Sequence, residues 1–249
     1  MNSRRLKYLN LSELSEEQTL QYRDAVSQAF PKIIQSSEII KNNWQIIEKY
    51  FPDHQLYLIG PDDELIGFIN TVPIFFDQSL DLLPNEGWDW LVNKSISGYQ
   101  NKVTPNTLGG LQVIITKKNQ RKGYSKFIIA EAKNIMRNNG YEKFVIPIRP
   151  TLKKNHPDMS MVDYLHLKNE NKIYDPWIRT HVNSDAKVIS ICHKSMNING
   201  DIKFWESLMN KKIQHSGYHN VDGALNPVDI QIDANKGVYY EENIWIAYD

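Results

Sequence analysis

A basic turn near the middle of the chain contains residue types that could bind an anion. Four cations lie within six residues of one another: Lys117, Lys118, Arg121 and Lys122. Gly123 and Ser125 follow them, just before a segment with helical periodicity. The first N–H groups of a helix lack internal partners and carry partial positive charge, so a helix start can hold an anion. The residues alone leave two alternatives, an anion-binding loop or a solvated basic turn.

The elements around this turn favour the anion-binding alternative. A buried strand is predicted at 107–116, a helix from the turn to Asn138 and a second strand at 143–148, with Gly140 suited to a left-handed helix end. A strand, a turn, a helix and a strand within about 40 residues are typical of a parallel βαβ crossover. The turn has neither the P-loop spacing nor the Gly-x-Gly-x-x-Gly pattern.

The remaining elements predict an α+β fold rather than a regular alternation of strands and helices. Helices are predicted at 16–30, 38–50, 160–168 and 201–208, a β-hairpin at 54–59 and 64–72, and strands at 187–192 and 243–248. A mostly polar insertion at 77–100 contains a short helix at 86–91. We predict one domain over residues 1–249, with an insertion at about 77–100 and an extended C-terminal part at about 182–249.

Composition excludes several classes of function. The chain has 249 residues, with 29 Lys+Arg against 29 Asp+Glu, and this balance argues against binding a nucleic acid backbone. Cys192 is the single cysteine, so neither an internal disulfide nor a cysteine zinc site is expected. His215 and His219 have no third ligand at suitable spacing, and we predict no metal. No apolar segment suggests a signal peptide or a membrane span, so a cytoplasmic protein without a membrane partner is expected.

The basic turn resembles a loop of the GNAT acyltransferase superfamily. Gln120, Gly123 and Ser125 match its Gln/Arg-x-x-Gly-x-Gly/Ala pattern, except that serine stands at the last position. In that superfamily the loop amides hold the pyrophosphate of coenzyme A, and the pantetheine arm runs between two splayed central strands. The resemblance implies acetyl-CoA or another acyl-CoA as the co-substrate. The implied cofactor-binding residues are Val113, Ile115, Gln120, Arg121, Lys122, Gly123, Tyr124 and Ser125.

A longer succession of motifs, over most of residues 40–249, is similar to the GNAT-like domains in loading modules of curacin-type polyketide synthases. It includes the segments at 149–153, 175–181, 223–228 and 239–245. In those domains a Thr and a His in the acyl tunnel are associated with decarboxylation of malonyl-CoA and with acetyl transfer to a carrier-protein thiol. The matching residues are Thr151 and His181, implied to be catalytic, and Trp44 matches a tunnel-wall aromatic.

Each of these residues also has a structural interpretation. A Thr hydroxyl could hydrogen-bond a thioester carbonyl and a His could move a proton, but Thr151 could equally cap the next segment and His181 could be a core histidine. Asp175 could mark only a turn, with Trp177 as an anchor in the core. Arg149 could bind the carboxylate of a substrate or form an ion pair with an acidic neighbour.

The strand before the basic turn carries no carboxylate, although many GNAT enzymes place a Glu there as a base. This gap weakens the interpretation as a plain N-acetyltransferase, with Tyr164 and Tyr174 as unmarked candidates for an acid. We predict a GNAT-like acyltransferase that moves the acyl group of acyl-CoA to a small-molecule amine or to the thiol of an acyl carrier protein. The alternatives are a malonyl- or methylmalonyl-CoA decarboxylase of a biosynthetic pathway and a non-catalytic acyl-CoA-binding module.

Overall fold

The computed structural model describes residues 6–249 and contains a nine-stranded mixed sheet with helices on both faces. The helices are α1 (Glu16–Ala29), α2 (Lys32–Gln35), α3 (Glu38–Tyr50), α4 (Gly87–Gln100), α5 (Tyr124–Asn138), α6 (Met161–His166), α7 (Pro176–Val182) and α8 (Ile202–Met209). The strands are β1 (Lys7–Asn10), β2 (Gln55–Ile59), β3 (Leu65–Ile74), β4 (Thr107–Ile115), β5 (Lys143–Ile148), β6 (Lys168–Asn169), β7 (Lys172–Ile173), β8 (Lys187–Gly200), β9 (Gly217–His219), β10 (Val228–Gln231) and β11 (Lys236–Tyr248).

Most predicted elements are present, and the differences have physical causes. Helix α3 and strand β5 have the predicted bounds. Helix α4 extends well beyond the predicted range 86–91, because Leu91 and Ile96 are buried against the sheet and stabilise the added turns. Strands β8 and β11 are also longer than predicted, because each pairs with the other along most of its length. Helices α2 and α7 and the short strands β1, β6, β7, β9 and β10 were not predicted.

The sheet is ordered β1-β2-β3-β4-β5-β11-β10-β9, and β8 lies along the other side of β11. Strands β4 and β5 are parallel neighbours, and the pairs on either side of them, β3–β4 and β5–β11, are antiparallel. The β4–β5 ladder is short: Thr107–Gly109 pair with Lys143–Val145, and the two strands then diverge. Beyond that point β4 pairs only with β3, and β5 pairs only with β11.

Two sets of helices cover the two faces of the sheet. Helix α1 packs over Phe68 and Ile114, and α3 and α4 lie on the same face, in a core that includes Val72 and Leu91. Helix α5 packs on the opposite face with Ile69 and Leu108, and α7 lies beside it. No helix within residues 6–249 combines the length and the apolar content needed to cross a membrane.

Glycines with positive φ stand at both ends of α5. Gly123 precedes the first helical residue with φ +83°, and Gly140 follows the last turn with φ +70°. Gly140 donates to the Arg137 carbonyl oxygen and Tyr141 donates to that of Met136, which closes the helix as predicted. At both glycines an added Cβ would have no neighbour within 4 Å, so backbone conformation rather than crowding favours glycine there.

A β-bulge interrupts β4 where it leaves β5. Asn70 pairs with Gln112 and Thr71 pairs with Gly110, so Leu111 has no opposite residue on β3. The Leu111 carbonyl oxygen instead accepts a 2.8 Å hydrogen bond from the Trp88 indole of α4. Bulges re-aim a strand and are frequent beside functional sites.

Candidate functional site

The divergence of β4 and β5 creates an opening in the middle of the sheet. A Cβ on Gly110 would lie 2.7 Å from the Ile146 side chain, so glycine is required where the two strands separate. From Gly110 to Ile115, the edge of β4 that faces β5 has no strand partner among the described residues, 6–249. Val113 and Ile115, the predicted pantetheine contacts, lie on this edge segment and are half-buried. The opening therefore has an apolar wall and unpaired backbone groups.

The basic loop lies at the end of this open edge of β4. Lys117–Asn119 form one helical turn, and buried Asn119 fixes it, because its amide donates to the Thr116 hydroxyl at 3.1 Å. Arg121 and Gly123 both have positive φ, at 63° and 83°, which turns the chain into α5. The first turn of α5 has no acidic side chain, and Tyr124 and Ser125 are half-buried there.

The cations of this loop are only partly neutralised. Lys118 forms an ion pair with Glu64, and Lys122 donates to the Asn119 side chain at 3.0 Å. Lys117 and Arg121 are exposed and, within residues 6–249, neither forms an ion pair. A helix start with unpaired cations beside it is suited to an anion. The loop borders an 810 Å³ groove between α1 and the end of β4, lined in part by Gln21, Gln28, Ile115 and Gln120.

Thr151 and His181 lie in different surroundings, one exposed and the other buried. Thr151 is exposed and lies beyond Ile148, at the open end of the β4–β5 divergence. His181 is fully buried near the end of α7, and its Nδ1 lies 2.6 Å from the hydroxyl of Tyr248, which pairs with Phe144 at the closed end of the divergence. Along α7, His181 lies six residues, ~9 Å, beyond Asp175, which accepts from the backbone N–H of Leu152 next to Thr151.

Asp175 fixes the segment that carries Thr151. Its carboxylate accepts from the backbone N–H of Leu152 at 2.9 Å and from the hydroxyl of Tyr164 at 2.7 Å. It also caps α7 by accepting from the N–H groups of Trp177 and Ile178. Asp175 is therefore a helix cap that holds the start of α7 against the loop after β5, rather than only a turn, and Trp177 is half-buried rather than a core anchor.

Arg149 forms the ion pair that was one of its two interpretations. Its Nε donates to the fully buried Glu241 carboxylate at 2.5 Å, and its NH2 group donates to the Gly223 carbonyl oxygen. The Tyr239 hydroxyl donates to the same carboxylate and accepts from the backbone N–H of Leu225 at 2.9 Å. This network joins the end of β5 to β11 and to the 223–225 loop, and the binding of a substrate carboxylate by Arg149 stays a prediction.

Burial lowers the pKa of His181 from 6.5 to about 3, so the folded protein keeps its ring neutral. The unfolded chain takes up this proton below pH 6.5, and stability therefore falls as the pH drops from 6.5 towards 3. His181→Gln is expected to remove up to ~1.4 kcal/mol per pH unit of this acid sensitivity. Urea unfolding at pH values between 4 and 7 measures how the free energy of unfolding changes with pH. Exposed His166→Gln should retain the native slope, and an unchanged slope in His181→Gln would contradict a buried neutral ring.

A row of amide side chains on the α1–α3 face was missed by sequence reasoning. Gln112 donates to Asn70 at 2.7 Å, and Asn70 donates to Gln55 at 2.7 Å, across three neighbouring strands. The row ends at the β4 bulge. A polar residue within an otherwise apolar strand could have indicated this row from the sequence. Gln112, for example, is the polar residue among the apolar residues of 111–115.

Trp44, the predicted substrate contact, is half-buried on α3 near this row. Its indole N–H donates to Glu48 at 2.9 Å and lies 3.1 Å from the Tyr22 hydroxyl of α1. The Tyr22 ring packs edge-on against Tyr57 at 5.0 Å. Within residues 6–249 no group of three or more His, Cys, Asp or Glu side chains is arranged to hold a metal ion.

Comparison with known proteins gives one sequence relative and several solved structures. No protein-family profile matches the chain. The arginine N-acetyltransferase avaD of Aspergillus versicolor is 24% identical over 251 residues, covering 90% of this chain and 86% of that protein. The chain is thus similar in sequence to an N-acetyltransferase over most of its length.

Two solved structures match along nearly all of the chain. The loading GNATL domain of CurA from Lyngbya majuscula has a TM-score of 0.57 and 19% identity, covering 98% of this chain and 96% of that one. The GphF GNAT-like decarboxylase in complex with isobutyryl-CoA has a TM-score of 0.55 and 12% identity, with 98% of both chains covered. These matches confirm the predicted α+β GNAT-like fold and the predicted resemblance to loading-module domains.

Proposed function

We propose that this chain, which has the fold of the GNAT acyltransferases, is an enzyme that transfers the acyl group of acyl-CoA to an amine. One observation carries the proposal: the opening between β4 and β5 leads along the unpaired edge of β4 to a basic loop at the start of α5. An apolar cleft that ends at an anion-binding helix start is suited to a ligand with an extended arm and a diphosphate.

In this proposal the basic loop binds the pyrophosphate of acyl-CoA, and the cleft binds its pantetheine arm. The backbone of Gln120–Ser125 and the cations Arg121 and Lys122 hold the pyrophosphate, since both cations are exposed at the helix start. Val113 and Ile115 contact the pantetheine arm. Thr151, at the open end of the strands, is assigned to the acyl group, whereas His181 is assigned to positioning, because its buried ring contacts Tyr248 and Trp177.

The reaction needs a neutral amine beside the thioester. The amine nitrogen attacks the thioester carbonyl carbon, a C–N bond forms and the C–S bond breaks. The leaving thiolate of coenzyme A takes up one proton, and the amine releases its surplus proton to solvent. The protein contributes by holding the two reactants at short distance, which can supply much of the rate enhancement.

Mass spectrometry of reaction mixtures tests the proposal. Purified protein is incubated with acetyl-CoA or malonyl-CoA, alone, with L-arginine as the amine, or with an acyl carrier protein. We expect the mass of the amine to increase by one acetyl group, together with release of free coenzyme A. Acylation of the carrier protein alone would favour the thiol acceptor, and acetyl-CoA formed from malonyl-CoA alone would favour the decarboxylase. Binding of acetyl-CoA without any product contradicts catalysis.

A further inference from the structure

A carboxylate with no cationic partner lies between α1 and α3. Glu48 is half-buried and accepts two hydrogen bonds, from the Trp44 indole at 2.9 Å and from the Tyr22 hydroxyl at 3.2 Å. Both bonds go to Oε1, which leaves Oε2 without a donor among residues 6–249. Two aromatic donors therefore fix the orientation of the carboxylate and leave one oxygen available.

The charge of Glu48 has no ion-pair partner in the part of the chain that the structure describes, residues 6–249. Within residues 6–249 no Lys, Arg or His lies within ion-pair distance of this carboxylate, whereas Glu38 on the same helix pairs with Lys41 at 2.8 Å. Partly buried charges are normally paired, because removal from water disfavours an isolated charge. Burial raises the pKa of Tyr57 to about 12, the neighbouring Asn70 side chain lowers it and the Glu48 charge raises it, so Tyr57 lies within the field of this carboxylate.

An unpartnered hydroxyl lies next to the same cluster. Tyr57 is fully buried on β2, and its hydroxyl, which lies beside the Asn70 and Tyr22 side chains, has no hydrogen bond of regular geometry among residues 6–249. Its ring packs edge-on against Tyr22, which is itself bonded to Glu48. A buried hydroxyl without a regular hydrogen bond is uncommon in a native structure and is open to a hydrogen bond from a ligand.

The cluster is within reach of the β4–β5 opening. Tyr57 on β2 pairs with Phe68 on β3, and Phe68 pairs with Ile114 on β4. Two strand spacings, ~10 Å, therefore separate the cluster from β4 along the sheet. The row of Gln55, Asn70 and Gln112 spans the same distance and ends at the bulge. An acceptor with a chain of several atoms could hold its charge at Glu48 and present another atom at the opening.

We propose that Glu48, with Trp44 and the Tyr57 hydroxyl, forms a subsite for the positive charge of the acceptor, an ammonium or a guanidinium group. The subsite rests on the proposed acyltransferase function and adds the class of acceptor. A cation there makes a charge-assisted hydrogen bond to Oε2 and lies beside the electron-rich faces of aromatic rings. The Tyr57 hydroxyl accepts a further hydrogen bond from the same group.

Calorimetric titration of the protein loaded with coenzyme A tests the subsite. The probes are L-arginine amide, which carries positive charge, and N-acetyl-L-citrulline amide, which has similar length and no charge. We expect the charged probe to bind more tightly, and Glu48→Gln to weaken its binding at least about tenfold. Glu38→Gln, on the same helix, is the matched control and should bind as the native protein does.

The variant Tyr57→Phe distinguishes a role of the Tyr57 hydroxyl in binding the acceptor from a role in stabilising the fold. It removes a hydroxyl that has no regular hydrogen bond within residues 6–249, so the midpoint of thermal unfolding should not fall, while binding of the charged probe should weaken. Equal affinity of the two probes, no binding of the charged probe, or native binding by Glu48→Gln each overturns the cation subsite. If coenzyme A itself does not bind to the native protein, the proposed function fails instead.

Discussion

Gly123→Val is expected to weaken the binding of acetyl-CoA on the order of 100-fold, or ~2.7 kcal/mol. The position has φ +83°, and an added Cβ there would meet no protein atom within 4 Å. A β-branched residue cannot keep this conformation without strain, and its methyl groups would stand where we propose that the pyrophosphate meets the helix start. Isothermal titration with acetyl-CoA measures the loss.

Gly140→Val is the matched control for this change. Gly140 stands at the other end of α5 with φ +70°, and an added Cβ there would likewise have no neighbour within 4 Å. Both variants should therefore lose similar stability, while only Gly123→Val loses acetyl-CoA binding. If the two variants bind acetyl-CoA equally well, the loop before α5 does not hold the pyrophosphate.

Glu241→Ala is expected to lower the free energy of unfolding by about 3–5 kcal/mol. Glu241 is fully buried, and its removal leaves the Arg149 guanidinium without its charge partner and the Tyr239 hydroxyl without its acceptor. An uncompensated buried charge is far more destabilising than the loss of an exposed ion pair. Denaturation with urea, followed by circular dichroism, measures the change.

The neighbouring residue supplies the control for Glu241. Glu242 pairs with His193, whose side chain is more exposed than that of Arg149. Glu242→Ala should therefore lower the free energy of unfolding by less than ~1 kcal/mol. The double variant Arg149→Met with Glu241→Leu should recover much of the stability lost in Glu241→Ala, because no charge is then left unpaired. A small loss in Glu241→Ala would show that water solvates Arg149 in its place.

The parts of the fold that were predicted from sequence depend on local signals. Helix α3 has Ser37 as its cap and an apolar stripe, so its bounds could be predicted residue by residue. The β4–α5–β5 unit combines a buried strand, a glycine turn and a helix ended by Gly140. In each case the residues that decide the structure are neighbours in sequence.

The parts that could not be predicted depend on contacts between distant residues. Nothing near Arg149 identifies Glu241, 92 positions away, as its partner. Thr151 is exposed while His181 is buried against the Tyr248 hydroxyl, and a motif match carries no information on such burial. Glu48 has an ordinary position in an amphipathic helix, and only the packing of α1 places the Tyr22 hydroxyl on its carboxylate.

The short β4–β5 ladder is the hydrogen-bonded link between two parts of the sheet. Strands β1–β4 form one block and strands β5 and β8–β11 form the other, and three residue pairs of ladder form the seam between them. A ligand lodged in the seam would touch both blocks and resist their separation. We therefore expect the bound ligand to make unfolding of the protein more cooperative. The protein without ligand can open locally at the seam, whereas the protein with ligand must release the ligand first.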